Sequence, residues 1–336
     1  MRINAAFLGH GIFTEFSVTN ALTRFERYGA PPGSPAPAPD ERIDRFIQAL
    51  ADMDIRTVWI QLFSRGGDVE DNDDKRALRK KLIARLGQAG IKWAGWGYCA
   101  GKNWNTDKDL IVKFKNDLQM SAFIIDAEPG NRIYVNPQYP NDPDKKLPDL
   151  WAEADFDTFA SFLAGKFGND NLAVSTWPIL QLQDSAANPV VKLMRIAAPH
   201  VCMFAPQAYW MSHPGNAHYK FDEAHFTVEN YPRNDPVALV RLVLEAWRVL
   251  NFAQPLVISG QTYWELEKDG GSPSRETMET KIYQFAKHFT DWPKIIGFNW
   301  YHAGLKVNSE VKGAMSDDMV AYIKGGQFGT KPYKPA

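Results

Sequence analysis

Short apolar runs recur along the chain, separated by longer segments in which apolar residues repeat with helical spacing. Most runs are apolar throughout and rich in β-branched or aromatic residues, which is typical of strands buried on both faces. The pattern predicts eight strands, over residues 3–11, 57–63, 92–101, 122–130, 172–178, 201–210, 255–264 and 295–304.

The segments between these runs predict amphipathic helices. In residues 40–54, for example, Ile43, Phe46 and Leu50 fall on one face, and Asp40 is a candidate N-cap. The other predicted helices cover residues 73–90, 105–119, 155–168, 188–199, 235–250, 274–292 and 316–326.

Strand and helix alternate along the whole sequence. Strands joined by helical crossovers run parallel, and eight such units predict an α/β fold, a (β/α)8 TIM barrel with long βα loops, as one domain over residues 1–336. Residues 29–40, 130–149 and 213–235 are read as loops that follow strands, at the face where barrel enzymes carry their sites. The alternative is a doubly wound open sheet. As a nucleotide binder it would need a glycine-rich phosphate turn after the first strand, and "GHG" at residues 9–11 is not that motif.

Composition and net charge limit the kinds of binding partner and cellular location that the sequence indicates. The formal net charge is −1, which gives no indication of nucleic-acid or membrane-surface binding. No apolar run reaches ~18 residues, and the apolar patch near the first residue is too short for a secretory leader, so the compartment is left open. Cys99 and Cys202 lie far apart in apolar runs and are expected to be buried free thiols.

The segment "AFIIDAEPG", residues 122–130, places two acids at the exit of an apolar strand. Residues i and i+2 of a strand point to the same side, so Asp126 and Glu128 should be neighbours, ~6.5–7 Å apart at Cα. Two carboxylates this close in a partly apolar pocket cannot both ionise freely, and one keeps its proton to higher pH. One proton donor and one anion are what glycosidic bond cleavage needs. The alternative is a structural role, in which the acids cap the next segment or pair with Arg132.

Aromatic and amide side chains are frequent at the other predicted strand ends, in a chain with 11 Trp, 12 Tyr and 20 Phe. Aromatic faces with polar groups between them suit a sugar ring, which has an apolar C–H face and a belt of hydroxyls. The alternative is ordinary core packing, since alternation turns every second residue outward. The candidate substrate-binding residues are Gln61, Trp96, Tyr98, Trp177, Gln207, Trp210, Gln261, Tyr263, Asn299 and Trp300.

These features resemble the glycoside hydrolase barrels that act on N-acetylated hexosamines. The Asp-x-Glu of the fourth strand, the Tyr-Trp pair of the sixth and the Trp of the eighth are similar to the family 25 lysozymes, which cleave peptidoglycan, and more distantly to the family 18 chitinases. The resemblance implies that Glu128 is the general acid and that Asp126 orients or stabilises the substrate's acetamido group. It further implies that Tyr209 supports this group and that Trp300 forms the aromatic floor of the subsite.

The sequence departs from these families at definite positions. Ser121 and Ile124 stand where the chitinase signature has further Asp residues, and the early Asp of the lysozymes is missing from the first strand. "AEP" at residues 127–129 is also similar to the "NEP" of retaining barrel glycosidases, whose nucleophile lies on the seventh strand. In that strand Gln261 occupies the position expected for an acid.

The sequence thus predicts a monomeric glycoside hydrolase that acts on a carbohydrate polymer containing N-acetylhexosamine, such as peptidoglycan or chitin, with no metal or organic cofactor. Three alternatives stay open: a retaining glycosidase that uses Glu128 as acid/base, a non-catalytic sugar-binding or phage structural barrel, and a lyase or aldolase. The last would need a Schiff-base lysine at a strand end, and Lys92 begins its strand instead. If the substrate is extracellular, release of a phage-type lysin would explain the absence of a recognisable leader.

Overall fold

The computed structural model describes residues 2–14, 17–31, 33–64, 66–133, 147–209, 236–261, 295–301, 303 and 323–324. All eight predicted strands are present. They are numbered β1 to β8 in chain order and cover Gly9–Thr14, Thr57–Ser64, Lys92–Tyr98, Phe123–Asp126, Leu172–Thr176, Met203–Ala208, Leu256–Gln261 and Ile295–Tyr301.

The eight strands form a closed parallel barrel. Each strand pairs in parallel with the next, and β1 pairs with both β2 and β8. The barrel closes at Gly11 of β1, which pairs with Thr57 of β2 on one side and with Asn299 of β8 on the other. A Cβ atom at Gly11 would lie 1.9 Å from the Asn299 Oδ1 atom, so the closure requires glycine here. The (β/α)8 prediction is confirmed.

Helices connect the strands, and all of them except the first correspond to helices that the apolar periodicity predicts. They are α1 to α7 and cover Val18–Phe25, Pro39–Asp52, Asp73–Gln88, Trp104–Asp117, Glu153–Phe167, Val190–Ala197 and Pro236–Leu250. The predicted helix over residues 274–292 lies outside the described residues, and of 316–326 only 323–324 are described, as helix.

Two details of these elements differ from the sequence predictions. The first strand begins at Gly9 rather than at residue 3, because Ala5–Phe7 form a 3₁₀ turn capped by the Asn4 side chain. Helix α2 has Ala38 as its N-cap residue, without a side-chain bond, and Pro39 at its first position. Proline has no N–H to satisfy there, so Asp40 contributes its charge to the first turn and is not the cap.

Apolar side chains alternate between two cores. The outward residues of the strands pack with the helices, and the inward residues fill the barrel. The interior contains a column of aromatic rings in edge-to-face contact, which begins at Phe7 in the 3₁₀ turn that closes the bottom of the barrel. Successive ring centroids lie 4.5–7 Å apart, the usual spacing of such contacts. The column comprises Phe7, Trp59, Phe13, Trp96 and Tyr301.

A buried histidine lies on the outer side of the barrel. The indole Nε1 of Trp300 donates to His10 Nε2 at 2.5 Å, and His10 Nδ1 lies 3.2 Å from the Asp54 carbonyl oxygen. Nε2 therefore accepts and Nδ1 carries the proton. Burial is the main cause that lowers the pKa of His10 from 6.5 to about 4.

This histidine should make the fold less stable in acid. Because the folded pKa lies below the unfolded one, the unfolded state binds more protons between pH 6.5 and about 4. As pH decreases through this window, the free energy of unfolding should fall by on the order of 3 kcal/mol from His10 alone. Urea unfolding at a series of pH values should show a weaker acid loss in His10→Gln than in the wild type. His200→Gln is the control, since His200 lies on the surface near Asp157; an equal effect of both changes would contradict the assignment.

Cys99 and Cys202 are buried and unpaired, as predicted. Burial raises the pKa of the Cys202 thiol to about 12, so the thiolate is not populated near neutral pH. None of the helices in the described ranges is long and apolar enough to cross a membrane.

Candidate active site

The acid pair lies where β4 ends. Ile124 faces the barrel interior and Ile125 faces the helices, so alternation turns Asp126 inward. The strand itself stops at Asp126, and Glu128 lies in the turn that follows, in which the Asn131 amide donates to the Glu128 carbonyl at 3.0 Å. The prediction that both acids belong to one strand is thus correct only for Asp126.

Asp126 is held from two neighbouring strands. Gln207 on β6 donates its Nε2 to Asp126 Oδ1 at 2.7 Å and to Ser175 Oγ on β5 at 3.0 Å. The side chains of all three residues face inward and are almost fully buried. A buried amide that bridges a carboxylate and a hydroxyl fixes the rotamer of each, so Asp126 has one defined orientation.

A second buried acid lies beside the pair. Asp149 is 1% exposed and accepts hydrogen bonds from the Tyr98 hydroxyl, 3.1 Å from Oδ2, and from the Gly101 amide, 2.7 Å from Oδ1. Burial, followed by the nearby charges of Asp149, Glu128 and Asp126, raises the pKa of Tyr98. The Tyr98 hydroxyl therefore stays protonated and lies within electrostatic reach of three carboxyl groups.

The turn that carries Glu128 is fixed by its neighbours. Trp177 Nε1 donates to the Pro129 carbonyl at 3.1 Å, and Asn188 Nδ2 donates to the same oxygen at 3.0 Å. Gly130 has a φ of +83°, and a Cβ atom there would lie 2.1 Å from Asn188 Nδ2. Only glycine fits both conditions, so the sequence "EPG" specifies this turn.

An aromatic pair lies between β6 and β8. The rings of Tyr209 and Tyr301 stack at 4.9 Å with an interplanar angle of 27°, and Trp96 contacts Tyr301 at 6.4 Å. Tyr209 follows Gln207 on the inward face and is partly exposed. Tyr209 therefore extends the aromatic column of the barrel beyond Tyr301, toward the carboxyl ends of the strands.

Trp300 was predicted to form the aromatic floor of the subsite, but its side chain faces the helices and not the barrel interior. Ile295 pairs with Leu256 and Gly297 with Val257, so Ile296 is an extra residue in β8. The bulge shifts the alternation by one residue, and Trp300 packs against the helices, fully buried.

The other candidate binding residues divide into three groups. Gln61, Trp96, Tyr98, Gln207 and Asn299 face the barrel interior and are buried. Trp177 packs against the helix-side core and donates to the Pro129 carbonyl. Outside the described part of the chain lie Trp210, Tyr263 and the side chain of Gln261.

Sequence reasoning missed Ser175 and Asp149 as site residues, and it favoured Trp300 over its neighbour Tyr301. Ser175 could have been found, because it lies two residues beyond the inward Ala173. Asp149 had no local signal, since its partners Tyr98 and Gly101 are 51 and 48 residues away. The inward orientation of Tyr301 can be predicted only when the bulge in β8 is known.

Asp107 in the first turn of α4 is another buried acid on this side of the barrel. The Ala100 amide donates to its Oδ2 at 3.1 Å. Burial raises the pKa of Asp107 from 3.8 to about 7, against the opposing effect of hydrogen bonds from the Ala100 and Gly66 backbone. Its role is to tie the loops after β2 and β3 to α4.

Asp107→Asn should change how stability depends on pH. The folded state holds this proton more tightly than the unfolded state, so the free energy of unfolding should fall as pH rises from about 4 to about 7. Asparagine does not titrate, and the variant should lack this decline, gaining on the order of 4 kcal/mol over the wild type between these limits. Chemical denaturation at pH 4.5 and 7.5 measures the difference. Asp109→Asn, on the same helix, is the control, and an Asp107→Asn curve parallel to the wild type would contradict the prediction.

The arrangement combines the elements of general acid chemistry at a strand end. It has one carboxyl group in the turn after β4, a second fixed within the barrel, and a stacked aromatic pair at the ends of β6 and β8. Within the described ranges, no group of three or more His, Cys, Asp or Glu side chains has the arrangement of a metal site.

Comparison with known proteins supports the architecture. No protein-family model matches the sequence, and no curated protein matches it. Among solved structures, a chitinase from Chromobacterium violaceum ATCC 12472 has a TM-score of 0.52 at 11% identity, over 94% of this chain and 98% of that one. A GH18 chitinase from Pseudoalteromonas aurantia has a TM-score of 0.51 at 10% identity, over 88% and 93%.

A third similar structure is an endo-1,4-beta-mannanase from Rhizomucor miehei, with a TM-score of 0.54 at 11% identity, over 94% of this chain and 92% of that one. At such identities the similarity establishes the barrel fold, which is shared by family 18 chitinases and related glycosidases. Because the three names cover two kinds of polymer, the fold does not select a substrate. The resemblance to family 25 lysozymes stays a prediction.

Proposed function

We propose that this protein is a glycoside hydrolase that cleaves a polysaccharide containing N-acetylhexosamine, such as chitin or peptidoglycan. The observation that carries the proposal is the acid pair at the end of β4, with Asp126 held by Gln207 inside the barrel and Glu128 in the adjoining turn. This is the end of a barrel strand at which catalytic groups are found in (β/α)8 enzymes.

Glu128 is the general acid in this proposal. It transfers its proton to the glycosidic oxygen as the bond to the anomeric carbon breaks, and positive charge develops on the ring. Its carboxyl group accepts a hydrogen bond from the Asn131 side chain, and its backbone carbonyl accepts one from the Asn131 backbone amide. Both contacts fix the direction from which the proton is delivered.

Asp126 stabilises the developing positive centre, acting through the acetamido group of the substrate. A fixed carboxylate can accept the acetamido N–H and direct the carbonyl oxygen toward the anomeric carbon. The bond from Gln207 orients Asp126 before the substrate arrives, so little reorganisation is needed during the reaction. Tyr209 and Tyr301 offer the apolar face against which the sugar ring packs.

Asp126→Asn should lower turnover by about 100-fold while Glu128 is intact, because the amide keeps the shape but loses the negative charge. Initial rates on a chitin oligomer measure this effect. Asp109→Asn on the surface of α4 should leave the rate unchanged. A rate within about 3-fold of the wild type would exclude Asp126 from the stabilising role.

Incubation of the purified protein with chitin oligomers, peptidoglycan and other microbial or plant polysaccharides, followed by mass spectrometry of the products, tests the function itself. Cleavage next to an N-acetylhexosamine supports the proposal. Cleavage only of other polysaccharides favours a retaining glycosidase with Glu128 as acid/base, although the described strand β7 carries no acid to act as nucleophile. Binding without cleavage of any glycan would instead indicate a non-catalytic sugar-binding barrel.

A further inference from the structure

We propose that Asp149 is a positioning residue for the acid pair, which holds the Glu128 turn and the Tyr98 hydroxyl in place and supplies a fixed negative charge beside them. This proposal rests on the proposed function, and it assigns a role to a carboxyl group that lies outside the Asp-x-Glu motif.

The backbone of Asp149 closes the turn that carries Glu128. The Gly130 amide donates to the Asp149 carbonyl at 2.6 Å, and the Asp149 amide donates to the Asn131 carbonyl at 2.7 Å. Asn131 in turn donates its side chain to Glu128. Asp149 is therefore two hydrogen bonds away from the Glu128 carboxyl group, through one residue.

The side chain of Asp149 ties that turn to the loop after β3. Its Oδ1 accepts from the Gly101 amide at 2.7 Å and its Oδ2 accepts from the Tyr98 hydroxyl at 3.1 Å. A Cβ atom at Gly101 would lie 2.1 Å from the Leu150 carbonyl oxygen, so the two segments are in direct backbone contact. The carboxyl group lies at the centre of this contact, almost fully buried.

Its charge acts on the same groups. In the described part of the chain, the charge of Asp149 raises the pKa of Tyr98, Cys99 and Asp107, and Tyr98 in turn lies within electrostatic reach of Glu128 and Asp126. A negative charge at Asp149 opposes the loss of a proton from any of them. The general acid must keep its proton until it meets the substrate, so this charge extends the active pH range upward.

Asp149→Asn tests the charge while keeping the shape. We expect kcat to fall at least 10-fold with KM within 3-fold, since a displaced acid reduces proton transfer more than binding. The alkaline limb of the pH–rate profile should move to lower pH by at least half a unit, because the remaining carboxyl groups lose their protons more readily. Tyr98→Phe should reproduce part of the kcat loss, and the double variant should lose no more than Asp149→Asn, since the two residues act as one unit.

Asp107→Asn is the matched control, because Asp107 is also a buried acid that accepts a backbone amide of the same loop. With its pKa near 7, Asp107 is largely protonated in mildly acidic assays, so the change alters little charge. At pH values below about 7 it should therefore leave kcat unchanged. If Asp149→Asn behaves in the same way, or loses activity only in proportion to its folded fraction, the proposal is wrong.

Hydrogen exchange separates this proposal from the proposed function. Asp149→Asn should accelerate exchange of the Gly130 and Asn131 amides at least 10-fold, and Asp107→Asn should not. If the wild type cleaves no glycan but this difference is seen, the hydrolase assignment fails and the role of Asp149 in holding the turn is retained. If the wild type is active and the exchange is unchanged in Asp149→Asn, only the role of Asp149 is overturned.

Discussion

Replacement of Glu128 by glutamine should reduce glycan hydrolysis by about 1,000-fold and leave the fold unchanged. Glutamine preserves an oxygen that can accept from Asn131, so the turn after β4 should keep its shape. It cannot deliver a proton, and a positioned general acid contributes about 10²–10⁴-fold to the rate. The loss should appear in kcat, with little change in KM, because the proton moves only in the transition state.

Glu153→Gln is the matched control for this experiment. Glu153 begins α5 and pairs with Lys192 at the surface, 2.7 Å apart, so its neutral form should lower neither rate nor stability by much. Thermal unfolding of both variants establishes that they are folded. Retention of more than a tenth of the wild-type rate by a folded Glu128→Gln protein would remove Glu128 from the role of acid.

The largest effect on stability is expected from Trp59→Ala. Trp59 is fully buried inside the barrel, with its ring 4.7 Å from Phe13 and 6.4 Å from Phe7. Its Nε1 donates to the Ala6 carbonyl at 2.9 Å and so anchors the 3₁₀ turn below the strands. Truncation should lower the free energy of unfolding by about 3–5 kcal/mol, measured by urea denaturation.

Two further variants separate the contributions of the Trp59 ring, its N–H group and its position inside the barrel. Trp59→Phe keeps an aromatic ring but leaves the Ala6 carbonyl without its donor, and should cost about 1–3 kcal/mol. Trp93→Ala removes a half-buried indole from the opposite face of the neighbouring strand β3 and should cost less than Trp59→Ala. A loss below about 1 kcal/mol for Trp59→Ala would show that the aromatic column does not support the barrel.

Most of the fold is encoded locally and could be predicted. Strands buried on both faces appear in the sequence as continuous apolar runs, which is why all eight were identified. Helix α1 is not predicted by the sequence pattern. Its eight residues closely follow the first strand and contain Thr19, Asn20 and Thr23, which are weak helix formers. Its stability comes from Ser17, which caps the Asn20 amide, and from packing.

The site was only partly predictable, for the same physical reason. Asp126 and Gln207 follow the period-2 alternation of their strands, so counting residues places them inward. Asp149 comes into contact with Tyr98 only when two loops meet, and nothing in either segment reports that meeting. The position of Trp300 depends on one extra residue in β8, which hydrogen-bond register reveals and composition does not.

That extra residue has a consequence for transferring residue roles between barrels of this kind. An ungapped alignment of β8 with a strand lacking Ile296 would match each side chain after it to one of opposite orientation. Trp300 would then be equated with a residue that faces the barrel interior, and Tyr301 with one that packs against the helices. Alignments should therefore open a one-residue gap opposite Ile296, which keeps Gly297 to Tyr301 matched to residues of the same orientation.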